Sequence, residues 1–171
     1  MKTLGKLFKI ELLLAISFLC IPIFLPLSHG GFLNSISEYQ HTSNALIYEA
    51  LLSISGILLM FDGYSDKLRR YNILFGLALI GVVFFPDNEW RITHDAMAII
   101  FFLGNTFIVT YYTLLLTKFK KIIFSSIIVI SLTLFITGIF NLYVAESIGL
   151  LSMSYFMFIR YQYRKKQEII C

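Results

Sequence analysis

Residues 2–27 read KTLGKLFKIELLLAISFLCIPIFLPL, in which three lysines stand at the start of a long apolar run. The apolar part, about residues 7–27, is long enough to cross the ~30 Å hydrocarbon core of a bilayer as a helix. Backbone amides in hydrocarbon must find hydrogen-bond partners within their own segment, and a helix provides them. The stretch therefore predicts a membrane-spanning helix with a basic flank.

The same alternation of basic cluster and apolar run continues along the rest of the chain. The predicted spans are residues 7–27, 44–61, 71–86, 94–117, 122–140 and 146–159. The third is the shortest, because its 16 residues at ~1.5 Å each give only about 24 Å. Only the polar stretch 141–146 separates the last two spans, so a merged fifth and sixth span is the alternative count.

The positions of lysine and arginine give the predicted orientation. Thirteen of the 14 basic residues fall in clusters that a six-span chain places on one side, and only Arg91 falls opposite. Cytoplasmic loops carry the excess of Lys and Arg. We therefore expect an all-α polytopic membrane protein, a six-transmembrane-helix antiparallel bundle formed by one domain, residues 1–171. Both termini are predicted to be cytoplasmic, with the chain in the inner (plasma) membrane.

Composition supports this class and excludes others. The chain is 58% hydrophobic and 14% charged, with a mean hydropathy of +0.80, which leaves too little polar surface for a soluble domain. The net charge of +4 does not indicate nucleic-acid binding, because the basic residues lie between apolar runs rather than on one soluble face. A cleaved signal peptide ending near Ser28 and Gly30 is an alternative, against which Pro22 and Pro26 interrupt the apolar run.

Four polar side chains in and before the second predicted span share one helical face. Ser37, His41, Asn44 and Tyr48 are spaced four, three and four residues apart. Glu49 lies beside this stripe, about five residues into the span. An ionisable group at that depth predicts a functional site with a buried partner, and a protonated carboxyl that bonds a neighbouring helix is the structural alternative.

The remaining polar residues gather at the predicted outer ends of the spans. All three histidines, His29, His41 and His94, are predicted there, with Asp95 and Glu146 at the starts of the fourth and sixth spans. Asp95 and Glu146 can also be favourable first-turn acids. At the predicted cytoplasmic ends, we expect Glu11 to pair with Lys9, and Asp62 and Asp66 to be solvated.

Five short motifs resemble a bacterial family of six-span membrane proteins of unknown function, distantly like the DRAM/Frag-type proteins. They are Ser35-Ile-Ser37-Glu38-Tyr39, Phe61-Asp62-Gly63-Tyr64, Phe85-Pro86, His94 at the start of a span, and Glu146-Ser147. The resemblance covers about residues 30–160 and implies a fold rather than a reaction. Gln40-His41 departs from the family pattern, which has aromatic residues there.

Three functions remain open for the candidate polar site. Its residues are Ser37, Tyr39, His41, Tyr48, Glu49, His94, Asp95 and Glu146. The first function is small-molecule or ion binding, and the second is a regulatory membrane subunit that acts in a homo-oligomer or with a membrane-protein partner. The alternative is a metal-dependent hydrolase acting on a lipid, with His41 and His94 as metal candidates. The His-x-x-x-His of ceramidase-type membrane hydrolases is absent, since no histidine follows His94.

Overall fold

The computed structural model describes residues 2–111, 117–139 and 141–170, which form six α-helices. The helices are α1 (Lys2–His29), α2 (Ala45–Ser65), α3 (Tyr71–Phe84), α4 (Asp87–Tyr111), α5 (Lys118–Ile136) and α6 (Leu142–Ile170). Two 3-10 helices, Ser37–His41 and Lys67–Arg69, lie in the connections on either side of α2. All of the α-helices except α3 are long and apolar enough to cross a membrane.

The helices form an antiparallel bundle in which each one packs against its neighbours in sequence and α6 returns to pack against α1. One end of the bundle, the histidine end, carries His29, His41 and His94. The opposite end, the arginine end, carries Arg69 and Arg160, which contact Glu11 of α1. A core of buried apolar side chains, including Leu14, Phe18 and Phe101 at 0% exposure, runs between the two ends.

The two prolines in α1 create a bond between α1 and α6. Pro26 has no backbone N–H, so the carbonyl of Pro22 four residues earlier loses its helical donor. The hydroxyl of Tyr143, on α6, donates to this Pro22 carbonyl. Gly30 ends α1 in the left-handed region, with φ +82°. Pro26 thus leaves the Pro22 carbonyl free to accept this hydrogen bond, which joins α1 to α6.

Glycines bring α2 and α3 into close contact. A Cβ on Gly56 would lie 2.9 Å from the Gly76 carbonyl oxygen, and a Cβ on Gly76 would lie 2.6 Å from Met60 Cγ. The short α3 therefore packs backbone to backbone against α2.

Several helices extend beyond the predicted spans by a turn or more. α4 begins at Asp87 instead of residue 94 and bends at Trp90 (φ −128°, ψ 42°). α6 covers Leu142–Ile170 instead of 146–159, since polar residues continue the helix beyond its apolar part. Residues 112–116 and 140, predicted within spans, lie outside the described residues.

The predicted polar stripe on the second helix is wrong as a continuous helical face. Ser37 and His41 belong to the separate 3-10 helix, and Asn44 only caps α2, which begins at Ala45. The chain turns at Thr42, whose backbone is extended, so helical spacing does not carry across this point.

Candidate functional site

A cavity of about 930 Å³ lies between α4, α5 and α6 and reaches the connection before α2. We call it the amphipathic cavity, because its two parts differ in chemistry. Its part at the histidine end is polar, and the residues there include Ser35, Ser37, Glu38, His41, Asp87, Arg91, His94, Asp95 and Glu146. Its deeper wall is mainly apolar and includes Phe102, Leu103, Phe124, Ile128 and Met153. Ligand pockets in proteins have this size and this mixture of linings.

Glu146 joins α6 to the connection between α1 and α2. Its Oε2 accepts a hydrogen bond of 2.7 Å from the backbone N–H of Ile36. The Ser35 and Ser37 hydroxyls are 2.9 Å apart and flank this contact. Because α6 begins at Leu142, Glu146 is not in the first turn. The first-turn interpretation is therefore wrong, and the carboxylate instead holds the loop that lines the cavity.

His94 has a defined tautomer in this arrangement. Its Nδ1 lies 2.8 Å from the carbonyl oxygen of Phe85. A carbonyl only accepts, so Nδ1 carries a proton, and in the neutral ring Nε2 is an acceptor. The ring is 5% exposed and lines the amphipathic cavity.

A second, small cavity of about 30 Å³ adjoins the first and also contains His94 and Glu146 in its wall. Tyr48 lines this small cavity, and its hydroxyl has no hydrogen-bond partner although the residue is 0% exposed. Ser37 lines both cavities. The structure therefore brings Ser37, Tyr48, His94 and Glu146 together, although they come from four separate elements of the chain.

Two candidate residues, His41 and Asp95, lie at the rim of the cavity, and each contacts a neighbouring polar side chain. His41 Nε2 lies 2.5 Å from Asp87 Oδ1, and both side chains are partly exposed. Asp95 lies 3.9 Å from Arg91, and both are largely exposed. These pairs are accessible to water, so each contributes little to stability.

The two remaining candidates lie outside the cavities. Tyr39 is fully buried, donates from its hydroxyl to the Gly31 carbonyl at 2.9 Å, and packs edge-on against His29. Burial raises the pKa of the Tyr39 phenol above its ordinary value, which keeps it a neutral donor. Glu49 is half-buried on α2 and lines neither cavity.

The described residues do not form a cluster of side chains that could bind a metal ion. No group of three His, Cys, Asp or Glu side chains able to hold a metal ion occurs among the residues that the structure describes. His41 is paired with Asp87, and His94 uses Nδ1 to bond the chain at Phe85. A metal-dependent hydrolase stays a prediction.

The arginine end holds a charged cluster that was not predicted. Arg69 contacts Glu11 at 3.0 Å and also pairs with Asp62, whereas Arg160 lies 3.3 Å from Glu11 and 3.7 Å from Asp62. Both carboxylates are 0% exposed. Asn72 donates to Asp62 at 2.5 Å. The expected solvation of Asp62 and the expected pairing of Glu11 with Lys9 are wrong, since α1, α2 and α6 enclose both acids.

Asp66 and Arg164 complete this cluster nearer its surface. Arg164 lies 3.0 Å from Glu11 and 3.1 Å from Asp66, and Arg69 donates to Asp66 at 2.9 Å. Partial burial raises the pKa of Asp66, but hydrogen bonds from Leu68 and Arg69 and the two nearby guanidinium charges lower it more, and the net pKa is below its usual range. Three carboxylates thus face three guanidiniums.

One signal in the sequence could have revealed the cluster. Glu11 and Asp62 interrupt apolar runs near predicted cytoplasmic ends, where arginines also gather. Acids and bases at the same depth of different spans are natural partners.

Comparisons with known proteins give a family but no activity. No curated protein matches the chain, and no solved structure does. The resemblance to DRAM/Frag-type proteins and the bacterial origin stay predictions. The model of one family matches residues 20–161, which is most of the chain. The chain therefore belongs to DUF7103, a family of unknown function.

Proposed function

We propose that the chain is a single-domain integral membrane protein with six spans and both ends on the cytoplasmic side of the inner (plasma) membrane. Large apolar side chains on the outward faces support this, for example Ile16, Ile57, Leu74, Phe107 and Ile130, all about half exposed. Such faces are suited to lipid rather than to water. The antiparallel order also brings the basic clusters to the arginine end, the cytoplasmic side of this proposal.

Its function, in this proposal, is to bind a single-chain amphiphile in the amphipathic cavity. The observation that carries the proposal is the division of that cavity into a polar part at the histidine end and an apolar wall of α4, α5 and α6 side chains. A polar headgroup would meet Glu146, His94 and Ser37, and the chain would lie against Phe102, Phe124 and Ile128. Its volume of about 930 Å³ is enough for a lipid-sized chain.

A displacement assay on purified protein in a neutral detergent tests this function. A fluorescent hexadecyl probe is expected to bind the wild type and to be displaced by unlabelled hexadecyl chains. Ala145→Trp should abolish probe binding, because Ala145 lines the cavity and a large ring there fills it.

The matched control is Glu49→Gln, which alters a carboxyl on α2 that lines neither cavity and should leave probe binding unchanged. Equal probe binding by the wild type and a folded Ala145→Trp variant would exclude the cavity as the site.

The orientation has a separate test. Reporters that are active only in the cytosol, fused to either end, should both be active, and a reporter inserted in the loop near Asn34 should be inactive. An inactive reporter at one end would reject the six-span orientation.

A further inference from the structure

The charges around the amphipathic cavity are unbalanced. Within the part of the chain that the structure describes, four carboxylates line it, those of Glu38, Asp87, Asp95 and Glu146, against one guanidinium, that of Arg91. Asp87 pairs with His41 and Asp95 with Arg91. Among the described residues, Glu38 and Glu146 have no cationic side chain within salt-bridge distance. A negative excess of this kind disfavours an anionic headgroup and favours a cationic one.

A second observation points to a ligand at the same place. The Tyr48 hydroxyl has no hydrogen-bond partner and is completely buried, in a small cavity whose wall also contains Ser37, His94 and Glu146. A buried polar group without a partner is costly, and such groups are usually satisfied by something bound beside them. The charge excess and this hydroxyl meet at Glu146 and His94, which line both cavities.

The available groups at that junction are mainly acceptors. Glu146 offers a carboxylate, and His94 directs Nε2 to the site, since its Nδ1–H donates a hydrogen bond to the Phe85 carbonyl. The hydroxyl oxygens of Ser37 and Tyr48 can accept as well. A primary ammonium has three N–H donors and one positive charge, which matches this set better than a quaternary ammonium, a hydroxyl or a carboxylate.

We infer that the amphiphile carries a primary ammonium headgroup, with Glu146 as its counter-ion and His94 and Tyr48 as further hydrogen-bond partners. This inference rests on the proposed function and specifies its ligand class. The ammonium lies at the junction of the two cavities, and its alkyl chain follows the apolar wall beside Phe102.

The test compares four headgroups on alkyl chains of equal length, with the full-length protein in neutral detergent. Hexadecylamine, hexadecyltrimethylammonium, hexadecanol and hexadecanoate each compete with the fluorescent hexadecyl probe. We expect hexadecylamine to displace the probe at about tenfold lower concentration than the other three, the effect of roughly 1.4 kcal/mol from one charge-assisted contact.

Two variants locate this preference, and each is compared with the wild type in the same micelles so that partition into detergent cancels. Glu146→Gln should remove the preference for the amine while hexadecanol still displaces the probe. Tyr48→Phe removes no hydrogen bond of the protein itself and should lower only the amine's preference, by about threefold. Glu49→Gln is the control, and its amine preference should equal that of the wild type.

The outcomes separate the inference from the function on which it rests. Equal displacement by all four headgroups, or an amine preference that survives in Glu146→Gln or is undiminished in Tyr48→Phe, overturns the ammonium assignment and leaves amphiphile binding standing. Absence of probe binding in the folded wild type overturns both.

Discussion

At the scale of single residues, Asp62 is the centre of the charged cluster at the arginine end. Its carboxylate accepts hydrogen bonds from Arg69, in the connection after α2, and from Asn72 of α3. Arg160 of α6 lies 3.7 Å from it. Charges in a low-dielectric interior are tolerated only when they are paired and hydrogen-bonded. The contacts of Asp62 therefore join three helices at a point where α1 also contributes Glu11.

We predict that Asp62→Asn lowers the free energy of unfolding by about 3 kcal/mol, because the buried guanidiniums of Arg69 and Arg160 then lose one of their carboxylate partners. The measurement is the loss of helical circular dichroism in a denaturant titration of detergent-solubilised protein. Asp95→Asn is the matched control, since its pair with Arg91 is largely exposed and should change stability by less than about 0.5 kcal/mol. Similar losses in the two variants would contradict a special role for the buried cluster.

Asp66 makes part of this stability depend on pH. Its pKa is lower in the folded protein than the ordinary ~3.9 of an unfolded chain. Its contribution is therefore complete above about pH 4 and is lost as the pH falls through the lower folded pKa. We expect Asp66→Asn to cost about 1 kcal/mol at pH 7 and to show a smaller loss of stability than the wild type between pH 5 and pH 3.

The midpoint of unfolding, measured at several pH values for both proteins, checks this. Parallel pH curves for Asp66→Asn and the wild type would show that other acids account for the sensitivity.

The charged cluster also shows what could be predicted residue by residue and what could not. Sequence places Glu11, Asp62 and Arg160 near one side of the membrane by their position along the apolar runs. It does not show that Glu11 meets Arg69, 58 residues away, because that contact depends on which helices are neighbours. The sequence predicts a solvated Asp62 for the same reason, because the basic cluster beside it has the composition of a loop, whereas in the structure α1 and α6 cover it.

At the scale of elements, the bond from Tyr143 to Pro22 links the proline-containing part of α1 to the start of α6. Tyr143→Phe should leave the Pro22 carbonyl without a donor and cost about 1–2 kcal/mol. Pro26→Ala restores a backbone N–H four residues after Pro22, which can donate to the same carbonyl.

We therefore predict that Tyr143→Phe is less damaging when Pro26→Ala is also present, a coupling that a double-mutant cycle of unfolding free energies measures. Strictly additive effects would mean that the Tyr143 hydroxyl and the missing Pro26 N–H act independently.

Helix existence could be predicted more securely than helix limits. Apolar runs identify all six helices, including the short α3, because a backbone kept away from water must form its hydrogen bonds within each run. Hydropathy does not indicate the start of α4, because Asp87–Trp90 forms a polar first turn before the bend at Trp90. Ser37–His41 was joined to α2 because its spacing is helical, although Thr42 turns the chain between them. Helical spacing of polar residues indicates helix on both sides of Thr42, but it does not reveal that one extended residue interrupts the helix there.

At the scale of the whole molecule, the two ends have different kinds of polar structure. The arginine end contains three carboxylates and three guanidiniums in mutual contact, a set balanced in charge in which Glu11 Oε2 and Arg69 Nη2 have no hydrogen-bond partner. The histidine end contains unpaired carboxylates, an unpartnered hydroxyl and a cavity. We infer a division in which one end fixes the helices and the other receives a ligand. Glu146 and Arg160 are 14 residues apart on α6, which is about 21 Å along the helix.

That separation leads to a prediction for the whole bundle. Asp62→Asn should lower the unfolding free energy with little change in probe affinity, measured where the variant is still folded. Glu146→Gln should change the amine preference, with a smaller effect on unfolding because one backbone N–H loses a charged acceptor. Because the two sites share no contact, the double variant should show the sum of the two unfolding losses within about 0.5 kcal/mol. A larger coupling would mean that the two ends of the bundle stabilise each other through α6, and would contradict the division between them.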